Sequence, residues 1–223
     1  MNSLPRLVLS AALALSAVLP LSVLAASPAD LVAGTDYVEI AGGEPFEAQP
    51  GQIEVVEVFG YTCPHCARFE PLVSAWKAGL PADVSFVPVP APFGGYWIPY
   101  AQAFYAAQAQ GLVEKTHSAV FRALHEQHSL PIMQATPAEV AAFYAGHGAD
   151  PQRFAADMTS AATEAKLERA RGFLRRSGVE GTPTLIVAGK YRVLGDSARE
   201  SLEIASALVA RERAQHERAG TSE

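Results

Sequence analysis

The stretch FGYTCPHCARFEP, Phe59 to Pro71, holds both cysteines of a 223-residue chain. A bond across this spacing closes nearly the smallest loop available, and the stabilisation a disulfide draws from chain entropy grows with the loop. A structural staple is therefore a poor reason for the pair. A bond that opens and closes suits it better. Half of a zinc site would need further ligands to reach four, and neither a second cysteine pair nor an H-x(3 to 5)-H follows. A c-type haem needs His directly after the second cysteine, where this chain has Ala67.

The flanks place the motif. Upstream, IEVVEVF (Ile53 to Phe59) is a short, β-branched apolar run between Pro50-Gly51 and Gly60, which predicts a strand buried on both faces. Downstream, Ala67, Phe69, Leu72, Val73 and Trp76 recur at helical spacing before Gly79 and Pro81. The cysteines thus fall where a strand feeds a helix. Unpaired N–H groups and a partial positive charge at a helix start favour a sulfur there as thiolate, and Pro64 suits the first turn because its missing N–H costs nothing. The thiolate is the attacking species, so Cys63 is the expected nucleophile and Cys66, one turn inward, the resolving partner. His65 between them is either an incidental exposed residue or a polar, chargeable group that stabilises the thiolate. Each unit by which the thiolate pKa falls favours the reduced form by about 1.4 kcal/mol, equivalent to about 30 mV for two electrons. A stabilised thiolate therefore makes an oxidising disulfide.

The first 25 residues, MNSLPRLVLSAALALSAVLPLSVLA, carry one Arg, no acid and an apolar run ending in small residues. This predicts a signal peptide cleaved after Ala25. An uncleaved anchor is the other reading, weakened by Pro20 and by the lack of a basic stop-transfer cluster. Cleavage would leave 198 residues with 16 basic and 23 acidic side chains, a formal charge of −7. Such a surface offers no footprint for nucleic acid or anionic lipid. Export also places the thiols where disulfides persist.

CPHC after a buried strand resembles the DsbA group of thioredoxin-fold periplasmic oxidases. Gly181-Thr182-Pro183-Thr184, followed by LIVAGKYRV, is similar to the second marker of that superfamily. The resemblance implies a cis-proline at Pro183 facing the cysteines, and a cis bond is commonest before proline. It implies an α/β thioredoxin fold with an inserted all-helical domain: residues 26–97 and 177–223 forming the core, and 98–176 the insertion. Within that scheme DVSFVPV (Asp83 to Val89) is a second, parallel strand, LIVAG and KYRVLG a hairpin, and Ser197-Ala-Arg-Glu200 a capping box opening a last helix. In the insertion Thr136 and Asp150 are expected N-caps, with Gly146 and Gly178 as stops. Thr182 stands where the DsbA oxidases carry Val and matches the isomerases of the superfamily. Redox tuning by Pro64 and Thr182 is part of what the resemblance implies.

Glu57 interrupts the apolar row Ile53, Val55, Phe59 on one strand face. An unpaired carboxylate there has a raised pKa. The resemblance makes it a proton acceptor or electrostatic tuner for the buried cysteine; the alternative is pairing with a Lys or Arg from a neighbouring helix. The aromatic run APFGGYWIPYAQAF (Ala91 to Phe104) either lines a groove for unfolded chains or packs the seam between lobes. His117, His125 and His128 read as a solvated helix face, with a metal site as the alternative.

These residues point to a periplasmic thiol-disulfide oxidoreductase that donates its Cys63–Cys66 disulfide to reduced exported proteins. No cofactor is expected beyond the redox-active pair. The resemblance further implies reoxidation by a DsbB-like, quinone-linked membrane partner and a monomer without a stable membrane anchor. The alternatives are an isomerase or reductase of the same superfamily, or a peptide-binding holdase. The isomerases carry a substantial N-terminal domain, for which the roughly 25 residues before Gly51 leave no space.

Overall fold

The computed structural model of the protein describes residues 31–220, so the leader expected over residues 1–25 lies outside the described residues. Five strands, β1 (Tyr37–Glu39), β2 (Ile53–Phe59), β3 (Val84–Pro90), β4 (Thr184–Val187) and β5 (Tyr191–Val193), form one sheet in the order β1-β5-β4-β2-β3. β3 runs parallel to β2 with Ile53 opposite Val84, while β4 runs antiparallel to β2 with Glu57 opposite Leu185. Pro88 and Pro90 withhold ladder donors, which a strand tolerates at the sheet edge where β3 lies. β4 and β5 form the expected hairpin, turning through Ala188 and Gly189 at φ +52° and +66°, the two positive dihedrals that a tight hairpin turn requires.

β2 is buried over all seven residues because both faces of the sheet are covered. Ile53 and Val55 pack with Phe69 and Val73 of α1 (Pro64–Lys77) and with Leu202, Ala205 and Leu208 of α7 (Ala198–Gly220). Val56 and Val58 face the other way, against Ala170, Phe173 and Leu174 of α6 (Ala161–Arg176). Burying a side chain of this size contributes about 1.5–3 kcal/mol, and alternate residues of one strand do so on two faces.

Between β3 and β4 the chain forms a 3-10 turn (Gly95–Trp97) and the helices α2 (Ile98–Ala109), α3 (Val113–His125), α4 (Pro137–Ala145), α5 (Pro151–Met158) and α6. Thr136 and Glu139 make the reciprocal capping box, and Asp150 accepts the Arg153 N–H at 2.7 Å. This is a thioredoxin fold carrying a helical insertion.

Three readings change, and one strand has no sequence reading. The strand β1, a third element paired with β5, is too short for its periodicity to show in the sequence. The last capping box is not reciprocal: Ser197 Oγ accepts the Glu200 N–H, but the Glu200 carboxylate accepts from Asp196 instead of Ser197. The aromatic run divides, with Tyr100 and Phe104 buried in the helical core and Phe93 and Tyr96 exposed. The three histidines do not share a solvated helix face. His117 and His125 are partly buried against Tyr61, and His128 lies past the end of α3 at φ +52°.

Trp97 packs against the helical core and one sheet face at once. Its ring closes over Gly60, where an added Cβ would fall 1.9 Å from Cζ3. Gly60→Ala is expected to cost about 2 kcal/mol through overpacking. That would lower the thermal midpoint by about 4–8 °C, measured by circular dichroism.

Candidate active site

β2 delivers the chain to Gly60, and the turn Tyr61-Thr62 leads to Cys63 at the N-cap of α1, with Pro64 in the first helical turn. Cys63 keeps extended dihedrals, φ −86° and ψ 118°, and its side chain makes no capping bond. The sulfur is therefore left to other partners. Its carbonyl accepts the Ala67 N–H at 3.1 Å, which starts the helix. Cys66, one turn on, is fully buried, with the Gly60 N–H 3.5 Å from its sulfur. Both cysteines are free thiols in this structure.

The peptide bond Thr182–Pro183 is cis and immediately precedes β4. Because β4 pairs with β2, it brings the Thr182 carbonyl to 3.5 Å from Cys63 Sγ. The Thr182 hydroxyl is buried and forms no hydrogen bond of good geometry, so its dipole can turn toward either sulfur.

These donors divide the two thiols. A hydrogen bond from the Cys66 thiol is the largest influence on Cys63; with the Thr182 hydroxyl and the N–H groups of Cys66 and His65 it outweighs burial and lowers the Cys63 pKa to about 5. Burial, and then the neighbouring Cys63 sulfur, push Cys66 far above the ordinary thiol range. One sulfur is thus an anion at neutral pH and the other holds its proton. The His65 contribution to this comes from its backbone; its exposed ring accepts from Arg68 Nη2 at 3.0 Å. Arg68 went unremarked in the sequence, since nothing in the periodicity of α1 separates it from any exposed helical residue.

Glu57 lies on the α1 face of β2, 2% exposed, with Oε2 unpartnered. The pairing alternative is not what the structure shows: the nearby Lys77 holds Glu114 at 3.1 Å. Burial, and next the charge of Glu70, raise the Glu57 pKa to about 8, with Lys77 opposing. A small cavity of about 120 Å³ joins Glu57 to Glu70, Lys77, Glu114, His117 and Ser118.

Around that cavity runs a network the sequence reading missed. Ser118 donates to Glu70 at 2.6 Å, His117 Nε2 lies 3.5 Å from the same carboxylate, and its Nδ1 is 2.8 Å from the Tyr61 hydroxyl. His125 Nε2 donates to the Tyr61 carbonyl at 2.7 Å. Burial pushes the Glu70 pKa up, but the bonds from His117 and Ser118 win and hold it below the usual carboxylate value. The available signal was Glu70, four residues after Cys66 and so on the same buried side of α1.

A redox-active cysteine pair at a helix start, faced by a cis-proline loop, on a thioredoxin fold defines a thiol-disulfide oxidoreductase. The Thioredoxin family pattern matches residues 49–206. The chain is 42% identical over 212 residues to the thiol:disulfide interchange protein DsbA of Pseudomonas aeruginosa, covering 94% of this chain and 97% of the relative. It is 43% identical over 190 residues to that of Azotobacter vinelandii, covering 84% and 87%. Among solved structures, oxidoreductase DsbA from Xylella fastidiosa superposes with a TM-score of 0.81 at 47% identity, covering 82% of this chain and 98% of that one. DsbA of P. aeruginosa superposes at 0.78 and 40% identity, covering 86% and 100%. The chain belongs to the DsbA family.

Absorbance of the reduced protein at 240 nm is expected to titrate with a midpoint near 5, and Thr182→Val to move it upward by removing a donor. A midpoint in the free-thiol range of about 8.5 would contradict the assignment. The Glu57 carboxylate has a raised folded pKa, so its burial destabilises the protein progressively from pH 4.5 up to about 8. Glu57→Gln is accordingly expected to stabilise by roughly 2–4 kcal/mol at pH 8 and by under about 1 kcal/mol at pH 5, read from urea unfolding.

Proposed function

We propose that this disulfide oxidoreductase works as an oxidase, donating its Cys63–Cys66 disulfide to reduced proteins newly exported to the periplasm. The observation that carries the direction is the division between the sulfurs: Cys63 favoured as thiolate above about pH 5, and Cys66 burdened by burial. A client thiolate attacks Cys63 Sγ, the Cys63–Cys66 bond breaks, and Cys66 leaves with the electron pair and takes up a proton. A second client thiolate then attacks the client sulfur of the mixed disulfide and expels Cys63 as thiolate. The client loses two electrons and gains a disulfide; the enzyme holds a dithiol.

Cys63 leaves readily because a low-pKa thiol is a good leaving group. Glu57, with a pKa near 8, is suited to exchange a proton with the Cys66 side of the site at neutral pH. Pro64 starts α1 without a wasted N–H, and Thr182 with Pro183 presents backbone and hydroxyl to the sulfurs. The redox pair suffices without a cofactor. A DsbB-like, quinone-linked membrane protein is the proposed reoxidant of a monomeric, freely diffusing enzyme. Among the described residues no helix is long and apolar enough to cross a membrane, and the sequence supplies the export leader.

Oxidation of a reduced two-cysteine peptide tests the reading. Cys63→Ala is expected to abolish it, whereas a holdase would keep its whole function. Cys66→Ala, given the same peptide in its disulfide form, is expected to form an enzyme–client mixed disulfide as the Cys63 thiolate attacks the client bond and expels the second client sulfur as thiolate, visible as a mass increase under non-reducing conditions and absent after reductant.

A further inference from the structure

Beside the cysteines lies a groove of about 510 Å³ between the α1 wall, with His65 and Arg68, and the wall formed by the cis-Pro183 loop, Asp196 and Ser201. Phe69 and Leu185 line it as well, both buried. The groove is adjacent to the nucleophile, since Thr182 both lines it and contacts Cys63. Its charges are segregated: Arg68 on α1 at one side, Asp196 on the β5–α7 loop at the other, both exposed.

Arg68 is unlike the arginines that serve the fold. Arg213 grips Asp83 through two bonds at 2.7 and 2.8 Å, and Arg171 holds Glu164 and Glu168. Among the described residues no carboxylate lies within ion-pair distance of Arg68; its one hydrogen bond goes to the neutral acceptor His65 Nδ1. A guanidinium has five N–H donors in a planar fork that fits a carboxylate, so four remain for a ligand. His65 steadies the fork beside the groove.

We propose that Arg68 makes the enzyme select client segments bearing a carboxylate about two residues from the cysteine that attacks Cys63. The inference rests on the thiol-exchange reading above and names the clients that reading prefers. The spacing follows from geometry. Arg68 lies five residues along α1 from Cys63, about 7.5 Å at the helical rise, and an extended client covers about 6.6 Å in two residues. Residues two apart on an extended chain also share a face, so a client cysteine pointing at Cys63 carries that side chain toward the same wall. Asp196 opposes an acid placed at the far side, which gives the groove a polarity. The formal charge of the chain is −6; general attraction would favour basic clients, so an acidic preference here is a local effect.

The test uses three reduced two-cysteine peptides identical except for Glu, Gln or Lys two residues from the first cysteine. Each is mixed with the oxidised protein, and second-order oxidation rates are followed at low salt. A charge on the peptide alters its own thiol, but that effect cancels when the Glu-to-Lys rate ratio is compared between protein variants. Arg68→Gln is expected to lower the ratio about threefold and Arg68→Glu about tenfold, as an exposed pair allows, with the difference shrinking at high salt. A structural disturbance would slow all three peptides together and leave the ratio alone. A ratio untouched by both substitutions, with oxidation intact, overturns the selection by Arg68 alone. Failure of the unsubstituted protein to oxidise even the Gln peptide sinks the exchange reading, and this inference with it.

Discussion

A sulfur anion at the tip of α1 is the interaction on which the rest depends. Cys63 is unsuited to cap the helix in the ordinary way, so its sulfur stays free to collect donors: the Cys66 thiol, the Thr182 hydroxyl and two backbone N–H groups. They arrive from two elements, the Cys66 thiol being carried by α1. The N–H groups come from the first turn of α1, and Thr182 from the loop before β4, which the antiparallel pairing with β2 holds in register. The sheet order is thus an electrostatic device as well as a packing solution. Burial of Cys66 supplies the other half, because a thiol that cannot ionise is kept as a donor.

The same core tolerates a costly group. Glu57 sits in the middle of the most buried strand with an oxygen unsatisfied, at a site where an apolar residue would contribute about 1.5–3 kcal/mol. Glu70 next to it raises the cost, while Ser118 and His117, the latter held in turn by the Tyr61 hydroxyl, tie Glu70 down and leave Glu57 as the carboxylate that changes charge near neutral pH. A destabilising carboxylate beside a redox pair is where function and stability diverge, as active sites commonly show.

Much of this was legible from residues alone because the decisive signals are local. A β-branched run, a Cys-Pro-His-Cys turn and a Gly-Thr-Pro-Thr stretch each declare themselves within a few positions, and the odd placement of Glu57 follows from strand alternation. What could not be read depends on contacts between distant segments. β1 exists because β5 offers it an edge 156 positions away, Tyr37 opposite Val193. His117 and His125 look like surface histidines along α3 until Tyr61 is brought against them from the far end of β2. Arg68 acquires meaning only from the groove and from the absence of a carboxylate partner among the described residues.

The most direct test compares the folding stability of the reduced and disulfide forms across pH. Lowering the Cys63 pKa from 9 in the unfolded chain to about 5 in the fold stabilises the reduced form fully above the unfolded value, and that stabilisation fades as pH falls through the folded one. The reduced protein is therefore expected to be the more stable form at pH 7, with its advantage diminishing toward pH 5. A disulfide form more stable than the dithiol at pH 7 would contradict a sulfur anion held by the fold.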